Sequence, residues 1–161
     1  MMSFLFNRFA ISLTLVLAFV LQIIPLPVEF DVFRPDWVLL TLSYWVLAVP
    51  HRVNIGVAFI CGLGLDLVLG TTLGIHSVAT CIVVFILATN YQRLRNYPIW
   101  QQSFVVGLLS AFYHLLVFWL QHMISDIYFL FHYLAPTIAN VITWFYVFYF
   151  LRKVRRTSGV R

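Results

Sequence analysis

Six apolar runs follow one another along this chain, and no stretch between them is long enough to fold as a domain in water. They cover residues 9–24, 37–49, 55–69, 76–90, 102–123 and 138–151. A soluble fold would need far more polar surface than remains. Charged residues are 9% of the sequence, against roughly 25% in soluble proteins. The mean hydropathy is +0.97. In lipid, a backbone that crosses must satisfy its own hydrogen bonds, and apolar runs of this length do so as helices. The sequence therefore predicts an all-α, polytopic membrane protein: one integral domain over residues 1–161, built as a bundle of six transmembrane helices.

Local signals set the ends of the runs. Arg8 followed by an apolar run resembles a signal peptide, but no small-x-small cleavage site follows, so the first run reads as an uncleaved helix. It stops at Pro25. Pro35 suits a first helical turn, Asp36 complements the helix dipole there, and Trp37 fits the interfacial belt. Pro50 ends the second run, and residues 51–54 are short enough for a tight helical hairpin into the third. Thr71 and Thr72 interrupt the third run. Residues 91–98 read as a basic, aromatic loop, and Asp126, His132 and Pro136 mark the loop before the sixth run. Several runs are short, because fifteen helical residues span about 22 Å and the hydrocarbon core about 30 Å. Flanking Tyr, Trp and Thr must extend them, or the bilayer thins locally. A re-entrant hairpin made from the second and third runs is the alternative.

Loop charge argues for six full spans. If sides alternate from the N-terminus, one side collects Arg8, Arg52, Arg93, Arg95, Arg152, Lys153, Arg155, Arg156 and Arg161. The other collects Arg34 alone. The positive-inside rule places the first group, and with it both termini, in the cytoplasm. Glu29, Asp31, Asp36 and Asp126 fall on the outer side. The basic end reads as a topology signal and a contact for anionic lipid, not as a nucleic-acid surface.

The stretch over residues 56–76, GVAFICGLGLDLVLGTTLGIH, holds five of the seven glycines and Asp66, the one acid inside an apolar run. Ala58, Gly62, Asp66, Gly70 and Gly74 recur every fourth residue. Such a stripe lets helix backbones approach closely, and an intramembrane carboxylate must face protein or water. Together these predict a helix central to the bundle with its Asp66 face inward. Counting residues from the helix ends puts Asp66, His114 and Asn140 about 16–18 Å from the cytoplasmic side. They form a candidate polar layer in which Asp66 faces His114. A local hydrogen bond for His114 and a capping role for Asn140 are the plainer readings.

Ala10, Thr14 and Ala18 make a second four-residue stripe, read either as a docking groove for a foreign transmembrane helix or as internal packing. The sixth run is aromatic nearly all round. Cys61 and Cys81 lie in apolar runs and read as small buried hydrophobes without a disulfide. No nucleophile motif, phosphate-binding glycine loop, close carboxylate pair or metal-ligand spacing appears, so no enzyme, cofactor or metal is expected.

At FRPDWVLL (33–40), YWVLAVPHRVNIG (44–56) and GLGLDLVLGTTLG (62–74) the chain resembles the MreD family of bacterial rod shape-determining inner-membrane proteins. WQQSFVVGLLS (100–110) is similar to the branch found in Gram-negative rods. The resemblance extends over roughly residues 21–156 and carries over Arg34, Pro35, Pro50, His51, Arg52, Gly62, Asp66, Gly70 and Gly74. It implies a non-enzymatic membrane component of the cell-wall elongation machinery. The implied partners are membrane-anchored MreC, actin-like MreB, and the peptidoglycan glycosyltransferase and transpeptidase. It also implies a membrane fold similar to the substrate-binding subunits of energy-coupling-factor vitamin transporters. That likeness keeps a second reading open: a transporter or binder of a small molecule or lipid-linked precursor, using Asp66 and His114 as an intramembrane site.

Overall fold

The computed structural model describes residues 2–25, 27, 33–124 and 134–159, with residues 2–8 described by their backbone alone. Glu29, Asp31, Asp126, His132 and Arg161, and the side chain of Arg8, lie outside the described residues. Among the described residues, the fold is all-helical. Its six helices are α1 (Met2–Ile23), α2 (Trp37–Ala48), α3 (Ile55–Leu69), α4 (Ile75–Arg95), α5 (Ile99–Ile124) and α6 (Ala135–Thr157). α4 and α5 are long and apolar enough to cross a membrane, while Phe9–Ile23, α2 and α3 are apolar but shorter. Large apolar side chains such as Ile60, Leu67, Phe104 and Trp119 stand exposed on the exterior. Such a surface is costly in water and costs nothing against acyl chains.

The centre of the bundle is α2, not the Asp66 helix. Every residue from Val38 to Leu47 is buried. α2 packs on α1, α4 and α6 and touches α5. An apolar helix with no polar face belongs in such a place. Its Trp45 is fully buried and donates its indole Nε1–H to Thr14 Oγ1 at 2.9 Å. Tyr44 meets the Trp45 and Phe148 rings edge-on. The stripe Ala10, Thr14 and Ala18 is buried, and Thr14 docks on α2. A helix of this chain therefore takes up much of the seat that a foreign helix would need.

α3 packs mainly on α4, and only Ala58, Cys61, Gly62, Leu65 and Asp66 of it are buried. A Cβ on Gly62 would lie 2.3 Å from the Ser77 Cα, so the glycine sets how closely the two backbones approach. Thr80 Oγ1 donates to the Ala58 carbonyl at 3.1 Å, and Ser77 Oγ to that of Phe59 at 3.3 Å. Gly70 and Gly74 are not part of this contact. Gly70 ends α3 with φ +65° and Gly74 precedes α4 with φ +104°, and nothing lies within 4 Å of a Cβ built on either. They are turn residues, used because L side chains resist positive φ. The expected α2–α3 hairpin is also absent. The chain turns at residues 49–54, where Asn54 caps α3 through Gly56 N–H and Val57 N–H, but α3 then leaves α2 to pair with α4.

Two helices outrun their apolar segments. Arg93 and Arg95 sit in the last turn of α4, and Arg152, Lys153, Arg155 and Arg156 on the last turns of α6. Neither group lies in a loop or free tail. Arg and Lys are good helix formers and favour the negative end of the dipole, so nothing local stops these helices where hydrophobicity ends. Both cysteines are free.

Candidate functional site

One end of the bundle gathers Gln22, Asp36, Asp66, His76, His114 and Asn140. The polar groups form two separate knots. In the first, the Asp66 carboxylate ties the α3–α4 turn together. Its Oδ1 accepts from Thr71 Oγ1 at 3.0 Å and from the His76 backbone N–H at 3.0 Å, and lies 2.8 Å from His76 Nδ1. Its Oδ2 accepts from the Gly74 N–H at 2.8 Å. The Asp66 carbonyl takes the N–H groups of Gly70 and Thr71. The two left-handed glycines let the chain fold back tightly enough for residues 71–76 to reach the acid. Asp66 is 1% exposed, so those donors replace the solvation it loses.

The second knot holds the start of α2. Asn140 accepts from the Asp36 N–H with Oδ1 at 2.8 Å. Its Nδ2 donates to Asp36 Oδ2 and to Ser110 Oγ, both at 2.6 Å. His114 Nε2 lies 2.8 Å from the same Asp36 Oδ2. Gln22 Oε1 accepts from the Trp37 N–H at 3.1 Å. Side chains from α1, α5 and α6 thus meet the first residues of α2, where N–H groups lack partners within the helix; the Trp37 N–H also reaches the Pro35 carbonyl at 3.0 Å. The Asp36 side chain caps no N–H of its own helix. Its charge lies near the positive end of α2, as expected, but its partners are on α5 and α6.

Asp66 and His114 therefore do not pair: His76 takes Asp66, and Asp36 takes His114. Depth counting put the acid and His114 at one level, but His76 stands at that level on the helix beside it. Asn140 belongs to the Asp36 knot. Missed in the sequence were Asp36 as a site residue, because an acid beside a helix start reads as a dipole partner, and His76. The spacing Asp66–Gly70–Gly74–His76, an acid and a base across a glycine-flanked turn, was the available signal.

The buried Tyr113 ring separates the knots, its centroid 6.2 Å from that of His76 and 5.3 Å from that of His114. A cavity of about 120 Å³ touches both histidines, Asp36 and Gln22. It has room for a few waters, each taking about 30 Å³. Among the described residues no hydrogen bond joins the two knots, and no three His, Cys, Asp or Glu side chains gather as metal ligands. Of the other residues singled out in the sequence, Arg34 donates to the Ile24 carbonyl, and Pro50, His51 and Arg52 form the turn after α2.

These features define a class: a helical, membrane-associated protein whose buried polar groups bind its own helices together. The family model described as rod shape-determining protein MreD matches residues 2–154. The rod shape-determining protein MreD of Haemophilus influenzae (strain ATCC 51907 / DSM 11121 / KW20 / Rd) is 39% identical over 153 residues, which is 95% of this chain and 94% of that one. The chain belongs to the MreD family, a structural family of cell-shape determination. No solved structure matches it.

Proposed function

We propose that this protein is a non-enzymatic scaffold of the cell-wall elongation complex. It is a single integral domain with six spans and both termini cytoplasmic, in the bacterial inner membrane. The distribution of charge supports that orientation: Arg95, Arg152 and Arg155 border one end of the bundle, and the two described carboxylates lie at the other.

A groove between α1 and α6 carries the scaffold reading. It encloses about 400 Å³ and is bordered by Thr14, Leu17 and Ala18 of α1, Trp37 and Thr41 of α2, and Tyr146 and Phe150 of α6. α1 and α6 touch each other only lightly, so the groove is open along the outside of the bundle. Leu17, Tyr146 and Phe150 are its exposed side chains, standing over the buried Thr14 and Ala18; an apolar cleft between bundle helices suits a transmembrane helix. MreC, anchored in the membrane by its own helix, is the proposed direct occupant. MreB and the peptidoglycan glycosyltransferase and transpeptidase belong to the same complex. The basic turns of α4 and α6 face anionic lipid. The transporter reading loses its central pair, because Asp66 and His114 serve different partners beside a small cavity.

A photo-crosslinking residue at Leu17 or Tyr146 should yield an adduct with MreC in living cells, and one at Phe104 or Leu108, on the outer face of α5, should not. Equal adducts at both faces, or adducts on α5 alone, would overturn the assignment.

A further inference from the structure

At the end opposite the carboxylates, the last turns of α2, α4 and α6 and the α4–α5 turn surround an open cleft of about 390 Å³. That is within the range of small-ligand pockets, roughly 300–1,000 Å³. Arg95, Arg152 and Arg155 line it, with no carboxylate in its wall. The two described carboxylates are engaged by histidines at the far end. The Arg152 guanidinium stands 6.0 Å from the centre of the Phe148 ring. Beneath the arginines the wall is apolar, from Leu47 and Phe148. Gln102, 5% exposed, also lines the cleft. Its Nε2 donates to the Leu94 carbonyl at 3.0 Å and the Tyr97 carbonyl at 3.1 Å, while its Oε1 is buried without a partner.

A buried acceptor left open costs free energy unless something donates to it. Three guanidiniums gathered without an acid suit a phosphate, which they bind in forked geometry. The apolar wall suits an acyl chain. We propose that this cleft binds a phosphate ester that carries a free hydroxyl, as in a glycerol-type phospholipid headgroup: the arginines hold the phosphate and Gln102 Oε1 accepts from the hydroxyl. The site rests on the membrane placement proposed above, with this end at the cytoplasmic surface. The plain alternative is that the arginines only complement helix dipoles and mark topology. Arg93, Lys153 and Arg156 share the same helix ends but do not line the cleft, so they provide the control.

The test is native mass spectrometry of the full chain with phosphatidylglycerol or phosphatidylcholine, for wild type, R95Q/R152Q/R155Q and R93Q/K153Q/R156Q. Wild type should retain phosphatidylglycerol over phosphatidylcholine. The cleft variant should lose at least about tenfold of that preference, as expected for charges near a headgroup, and the control variant less than about threefold. Equal losses in the two variants would overturn the site. If the cleft triple fails to fold, R155Q alone is measured, and unchanged preference there is equally fatal. Added glycerol 3-phosphate separates the sources: displacement of the lipid means that the site takes a soluble ester, and persistence means that the acyl chain is needed. Unchanged MreC adducts at Leu17 in the cleft variants would show that a failure here leaves the scaffold reading standing.

Discussion

Gly62→Ala tests whether α3 and α4 are held by close backbone approach. The added methyl would lie 2.3 Å from Ser77 Cα, 2.7 Å from Ser77 N and 2.5 Å from Thr80 Oγ1. The first two are backbone atoms of a helix and cannot swing away. Relief requires α3 and α4 to part by roughly 1 Å, the shortfall from ordinary van der Waals contact. Overpacking of this kind costs about 1–3 kcal/mol. A separation of that size also breaks the bonds from Thr80 to Ala58 and from Ser77 to Phe59, at about 0.6 kcal/mol each. Better helix propensity returns up to about 1 kcal/mol. The net is on the order of 2 kcal/mol, or about thirtyfold in an opening equilibrium. Cys61 is buried beside this contact and reports its opening. In a Cys81→Ser background, a thiol-reactive fluorophore should label Cys61 of the Gly62→Ala variant about thirtyfold faster than that of the parent. Gly64→Ala, whose methyl meets the Phe19 ring at 2.9 Å, should be milder, because a ring can turn aside. Unchanged labelling in Gly62→Ala, or a larger effect in Gly64→Ala, would refute the reasoning.

Asp66→Asn presents an N–H₂ group to donors of the turn, whichever way the amide is placed. A loss of about 1–3 kcal/mol is expected in detergent unfolding, whatever the protein transports or does not transport, and wild-type stability would contradict the knot. Asn140→Ala strips a partner from the Asp36 N–H and from Ser110, and should cost about 1–3 kcal/mol by the same assay. Thr14→Val removes the acceptor of the buried Trp45 indole, whereas Thr14→Ser keeps it. The valine variant should unfold at lower temperature than the serine variant, and the reverse order would deny that bond any weight.

What the sequence made legible follows from which signals are local. The α3 boundaries were readable because the short 51–54 connection precedes it and Thr71 and Thr72 interrupt the apolar run after it, and α2 lay between Pro35 and Pro50. The far ends of α4 and α6 were not, because hydrophobicity fades at Arg93 and Arg152 while helix propensity continues. The inward face of Asp66 followed from the cost of a buried charge, but its partner did not, because many helix arrangements place a histidine at that depth. The central place of α2 was hidden for a similar reason. In lipid, an apolar helix looks the same from the chain whether neighbours or acyl tails surround it. Gly62 and Gly70 share one spacing in the sequence yet do different work, and the structure separates them by the left-handed φ of Gly70 and the close backbone contact of Gly62.

The attachment of α2 has a consequence for biosynthesis. Its first residue contacts come from Gln22, made earlier, and from His114 and Asn140, made 78 and 104 residues after Asp36. The start of α2 therefore waits, its leading acid met first by His114 of α5 and its N–H by Asn140 only when α6 arrives. A chain halted before residue 135 would lack that final clasp, and quality-control proteases would meet a loose core instead of a finished one.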